Sequence, residues 1–218
     1  MAVTVTLAAA STRLTTLPRL KRELNLTSVG DDKILWDLIQ QMSDLIVRKT
    51  QRTFALERVT EKLPAKGGLK IVLERVPIVT IHDVKFNGST VSSTSYSIDN
   101  ADAGILFRDI GWTTTQLFTH DITRIPLSEG RRHWEFDYTA GYITPGLLST
   151  AGDPNLPADI ERACLDLTKM NYLRKEDDPG IQSQRTGDAS ETRFGTAQSG
   201  FPPAITEILR EWTRIDPI

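Results

Sequence analysis

The sequence predicts an α+β fold, with an antiparallel helical core (helices near 16–25, 31–50, 157–174 and 203–214) interrupted by an inserted antiparallel β domain near 56–142. Three observations predict it. Apolar residues recur at three- and four-residue steps before Leu56, the period falls to two with β-branched residues between Leu56 and Tyr142, and the helical period returns at Pro157. The same breaks divide the chain into an N-terminal arm over 1–15, a helical core from 16–55 and 155–175, the β insertion over 56–145, a mobile linker over 176–200 and a docking helix over 201–218.

MAVTVTLAAAST lacks a basic leader and its apolar part is diluted by Thr4 and Thr6, so it reads as a loosely ordered arm and not as a signal peptide. TTLPRLKRELN forms a short helix, with Thr16 as cap and Pro18 in the first turn. In the next helix Ile34, Leu35, Leu38, Ile39, Met42, Leu45 and Ile46 make the apolar stripe, and Asp31 supplies a cap and an acid at the positive end of the dipole.

LERVTEKL and LKIVLERVPIVTIHDVKF then alternate as strands, with Pro77 breaking the run. Asn87-Gly88 is a hairpin signal, and TVSSTSYSIDN reads as an exposed edge. WEFDYTAGY is the last strand of the region and closes its sheet. Trp134, Phe136 and Tyr138 share one face, Glu135, Asp137 and Thr139 the other, and Gly141 lets the chain leave.

Pro157 opens the second long helix, whose stripe is Ile160, Cys164, Leu167, Met170 and Leu173; it is expected to pack on the helix of Ile34–Ile46. Between Glu176 and Gly200 only Ile181 and Phe194 are large and apolar, too few to offset the ordering entropy of the segment. The chain closes with a short helix begun at Pro203, apolar at Ile205, Ile208, Leu209 and Trp212. A helix so short must dock, and the pattern suits its own domain as well as a partner.

Composition bounds the function. The 218 residues are 39% hydrophobic and 25% charged, ordinary for a globular chain, and no window reaches the roughly 18 apolar residues of a spanning helix. A formal charge of −2 argues against a protein whose main task is gripping a phosphate backbone. The lone Cys164 fits synthesis in a reducing cytoplasm and core packing in its helix.

Catalytic signals are weak. Glu135 and Asp137, about 7 Å apart on one strand face, have the spacing of a carboxylate pair in an inverting glycosidase, but such alternation is common on half-solvated strands. His82, His120 and His133 have no paired spacing for a metal, and no phosphate-loop, dinucleotide or hydrolase-elbow motif occurs, so no cofactor is expected. Arg131 and Arg132, just before His133, are candidates for contact with phosphate or an acidic partner surface, against the plainer reading of a solvated strand end.

The order of LTTLPRLKRELNL, DDKILWDLIQQMSDLIVRKTQRTF, the strand ending in YTAGY, LPADIERACLDLTKMNYLRKED, the polar GDASETRFG segment and PPAITEILREW resembles the head-to-tail connector, or adaptor, proteins of tailed bacteriophages, over Leu14–Trp212. The resemblance implies a non-enzymatic virion protein in the neck, made in the host cytoplasm. It implies a dodecameric ring of identical subunits between the portal and a neck or tail completion protein, helping retain DNA and passing it without specific binding. It also implies attachment to the portal through the C-terminal segment, with Phe201, Pro202, Ile205, Ile208, Leu209 and Trp212 as candidate contacts. The rival readings are a β-domain binding module for a host or capsid surface and a hydrolase using Glu135 and Asp137.

Overall fold

The computed structural model describes residues 3–65, 68–112, 133–147, 154–173 and 201–214, with backbone alone at Ala2, Ser183–Thr186 and Ala189–Thr192. The fold is α+β, as the sequence predicts, and separates into two compact units.

One unit comprises Met1–Ala10, Ala55–Ile143 and Ser149–Pro154. Its main sheet contains β1 (Ala2–Leu7), β2 (Glu57–Pro64), β4 (Ile78–Phe86), β5 (Ser89–Thr90) and β8 (His133–Ala140), in the order β1-β2-β8-β4-β5. A smaller sheet joins β3 (Lys70–Val72), β6 (Ser97–Asn100) and β7 (Ile105–Phe107) in the order β3-β7-β6, with β6 exposed along its length as an edge. Asn87 (φ 48°) and Gly88 (φ 85°) form the two-residue turn that pairs Phe86 with Ser89.

Three segments depart from the sequence expectations. The first segment of the arm is a strand: β1 pairs antiparallel with β2, Val3 opposite Glu61 and Val5 opposite Val59. Its Ala-Val-Thr-Val-Thr-Leu run has strand propensity that the expectation of an arm discounted. WEFDYTAGY does not close the sheet but runs through its middle, because β8 is paired on both sides, with β2 and β4. Within 176–200, read as a linker, β9 (Ser183–Thr186) and β10 (Ala189–Thr192) pair antiparallel. Both strands are polar, so they show no apolar alternation; the rest of that segment lies outside the described residues.

The alternation along β8 is strict. Trp134, Phe136, Tyr138 and Ala140 are buried while His133, Glu135, Asp137 and Thr139 stay half-exposed. The buried side meets Val59, Leu63, Leu73, Ile78, Val84, Leu106 and Trp112, and Trp112 stands edge-on to Trp134 (5.0 Å) and Phe136 (5.4 Å). The Arg108 guanidinium lies 4.9 Å from the Trp134 ring centroid, a cation placed on a π face, and partial burial lowers its pKa. Gly141 (φ 112°) turns the chain out of the sheet against the Ala55 backbone, a place no side chain fits.

The second unit comprises Ser11–Phe54, Thr144–Leu148 and Asn155–Ile218. It holds α1 (Leu17–Leu24), α2 (Asp32–Thr50), α3 (Ala158–Leu173) and α4 (Pro203–Trp212). Leu17, Leu20, Leu35, Ile39 and Leu165 make one buried cluster, so α2 and α3 do pack together. The stripe is narrower than the sequence suggested: Leu38, Leu45 and Met170 are half-buried, and Ile34 and Leu173 are exposed.

The predicted side-chain caps do not form. Thr16 and Asp31 stand at the N-cap positions without a capping hydrogen bond. Asp31 instead accepts from the Tyr172 hydroxyl at 2.8 Å, tying the start of α2 to the end of α3. Ser11–Thr15, the remainder of the expected arm, lies along α2: the Leu14 N–H donates to Ser43 Oγ (3.0 Å) and Arg13 stacks 4.4 Å from the Trp36 ring centroid.

Candidate interaction surfaces

The outward side chains of β2, β8 and β4 form a lattice of charges. Arg58 Nε and Nη2 donate to Asp137 Oδ1 (2.9 Å) and Oδ2 (2.6 Å), Lys62 reaches Glu135 at 3.1 Å, and Lys85 reaches Asp83 at 3.3 Å. His82 Nε2 shares a hydrogen bond of 2.8 Å with Thr139 Oγ1. The fork-to-fork bond with Arg58 is the main cause that holds the Asp137 pKa below the ordinary carboxylate value, and the same bond raises that of Arg58. A general acid needs a carboxyl that keeps its proton, and Asp137 is arranged to lose it. The two acids of the hydrolase reading are therefore engaged in ion pairs along an open sheet.

On the inward face sits a carboxylate that the sequence reading missed. Glu61 is fully buried and accepts from the Tyr138 hydroxyl (2.6 Å) and the Glu74 N–H (2.9 Å), while Tyr138 Oη accepts from the Arg75 N–H (3.1 Å). Burial first, then the charge of Glu61, pushes the Tyr138 pKa far up, so the phenol remains a donor. The signal was present: Val59, Glu61 and Leu63 share one side of an alternating strand, so an acid there had to be buried and bonded. Glu161, buried in α3, is the helical counterpart; it accepts from Thr15 Oγ1 (3.3 Å) and Arg19 Nη1 (2.6 Å) and so fixes the entry to α1.

The C-terminal candidates divide. Phe201, Ile205 and Leu209 are buried inside the chain's own helical unit, where α4 packs on α2 and α3. Pro202, Ile208 and Trp212 are half-buried. Trp212 stands edge-on to Phe54 (6.1 Å between centroids), and its Nε1 donates to Asp159 Oδ2 at 2.6 Å. Of the two docking modes open to this helix in the sequence, the structure shows docking on its own unit.

Cys164 is buried beside Ser43, 3.6 Å from its hydroxyl, and burial pushes its thiol pKa up to about 11, the setting of a packed side chain. Among the described residues no group of three or more His, Cys, Asp or Glu is placed to hold a metal, and no helix is long and apolar enough to cross a membrane. Arg131, Arg132 and His120 lie outside the described residues.

No protein-family model matches the sequence, and no curated protein matches it. Solved structures do share the fold. The chain is similar to one in the virion of a native gene transfer agent particle, with TM-score 0.60 and 16% identity over 100% of this chain and 98% of that chain. It is similar to a chain in the neck of the empty particle, computed with C6 symmetry, at the same TM-score of 0.60, identity of 16% and coverage of 100% and 98%. The third is in the neck of the native particle, computed with C12 symmetry, with TM-score 0.59 and 14% identity over 100% of this chain and 98% of that one. The fold of this chain is thus one that occurs in the neck of a gene transfer agent particle.

Proposed function

We propose that this chain is a structural, non-enzymatic subunit of a virion neck, an adaptor ring that joins the portal of a DNA-filled head to the next neck or tail protein and helps retain and conduct DNA. The observation that carries the reading is the full-length correspondence with neck chains, 100% of this chain against 98% of those. The C6 and C12 symmetry of the neck maps supports a ring of identical copies, and we take the number as twelve. The order of sequence motifs from Leu14 to Trp212 points to the same family independently of the three-dimensional comparison.

In this reading the charge lattice of the main sheet is solvated or lies against a neighbour, and neither Glu135 nor Asp137 does chemistry. The C-terminal segment remains the element offered to the portal. Phe201, Ile205 and Leu209 fasten α4 to its unit, which leaves Pro202, Ile208 and Trp212 to meet the partner.

Quantitative mass spectrometry of purified particles tests the assignment, with the expected result of a fixed ring complement per portal. Localisation of the chain to the neck by cryo-EM completes the test. A chain absent from particles, or monomeric in the presence of the portal protein, overturns it.

A further inference from the structure

The last turn of α2 and the residues leaving it carry Arg48, Lys49 and Arg52, and no Asp or Glu stands between Asp44 and Glu57. Gln51 ends the helix in the left-handed conformation (φ 54°). The Arg214 N–H donates to the Thr50 carbonyl at 3.0 Å, which brings the C-terminal end of α4, with Arg210 and Arg214, to this same end of α2. Arg48, Lys49 and Arg210 are exposed, and Arg52 and Arg214 half-exposed.

Some cations of the same unit are paired, whereas Arg22, Lys33 and Lys169, like most of those at this end, form no ion pair with a described residue. Arg19 is paired with Glu161, Lys21 with Asp32, and Arg162 with Glu23 and Asp166. Arg48, Lys49, Arg52 and Arg210 form no ion pair with a described residue, and Arg52 Nε is buried without an acceptor. The negative ends of two helix dipoles favour cations here but supply no oxygen to their outward N–H groups. Unsaturated guanidinium forks and an ammonium at one place match the oxygens of phosphate.

We propose that this basic end of the helical unit contacts the phosphate backbone of duplex DNA without reading its sequence. The chemistry calls for a polyanion; the choice of duplex DNA rests on the neck reading, in which DNA threads the ring. The net charge of the whole chain hides the patch, in which Glu211 beside Arg210 is the one described acid of the last turn of α4.

The test is an amide NMR titration of the full chain with a mixed-sequence duplex of about 20 base pairs, repeated at about 50 mM and about 200 mM salt. Shifts are expected at Arg48–Arg52 and Arg210–Arg214, and three neutralised phosphates predict about 40-fold weaker binding at the higher salt. Arg48→Glu/Lys49→Glu/Arg52→Glu should abolish the shifts, while Lys33→Glu, at the other end of α2, should leave them. If the triple variant loses its cooperative unfolding, Lys49→Gln and Arg52→Gln singly should each lower the salt slope by about one. Absent or displaced shifts, salt-insensitive binding, or equal shifts with poly-glutamate overturn the proposal, the last in favour of an acidic protein surface. A chain found in the neck that shows no such titration leaves the adaptor reading standing and removes this inference; a chain absent from particles removes the adaptor reading whatever the titration shows.

Discussion

The indole N–H of Trp212 donates to the carboxylate of Asp159 at 2.6 Å, and the other oxygen of Asp159 accepts the Ile160 N–H at 2.9 Å in the first turn of α3. One acid at a helix N-terminus thus holds the end of the last helix. Trp212 is therefore part of the folded subunit as well as a candidate contact. Trp212→Phe keeps most of the ring contact with Phe54 and removes the donor. A loss of about 1–2 kcal/mol in urea unfolding is expected, and an unchanged midpoint would show the bond to be unimportant in solution.

The helix pair offers a graded packing test. Ile39 and Leu167 are buried, and truncation of either to Ala should cost about 2–5 kcal/mol. Leu38 is half-exposed, so Leu38→Ala should cost only roughly 1 kcal/mol. Equal losses at Leu38 and Ile39 would refute the assigned helix face.

Asp137 gives the β unit an acid-sensitive contribution. Its folded-state pKa is lowered, first by the bond to Arg58, so the stabilisation is complete above the unfolded carboxylate value of about 4 and drains away as pH falls through the lowered value. Asp137→Asn should flatten the stability profile below about pH 4 relative to the parent. Parallel profiles from chemical denaturation would discount the pair.

The same substitution, joined to Glu135→Gln, separates structure from chemistry. Particle assembly and DNA retention should stay near those of the parent, since both acids serve ion pairs on an open sheet. Loss of function in a folded double variant would restore the carboxylates to consideration.

Gly141 tests the exit from the main sheet. A Cβ there would lie on the Ala55 carbonyl and 2.8 Å from its carbon, at a φ of 112° that L-residues avoid. Gly141→Ala should cost at least about 2 kcal/mol, read as a fall in the thermal midpoint. A wild-type midpoint would mean that the Ala55 backbone yields easily.

Periodicity alone determined a good part of this protein. The α+β class, the four helices within a residue or two of their ends, the Asn87-Gly88 turn and the two faces of β8 all follow from local propensity and the 3.6- and 2-residue repeats, which each segment carries within itself. What the sequence left undecided depends on partners remote in the chain. β8 lies in the middle of its sheet because β2 and β4 both pair with it, and β1 is a strand because β2 offers an edge. Glu61 and Glu161 can be buried only because Tyr138 and Arg19, 77 and 142 positions away, supply donors. The last helix could have faced a partner or its own unit on its stripe alone. Its docking on α2 and α3 was decided by Phe54 and Asp159, which meet Trp212 only once the fold has closed. The convergence of Arg48, Lys49 and Arg52 with Arg210 and Arg214 likewise exists only in three dimensions, joined by one hydrogen bond from Arg214 to Thr50.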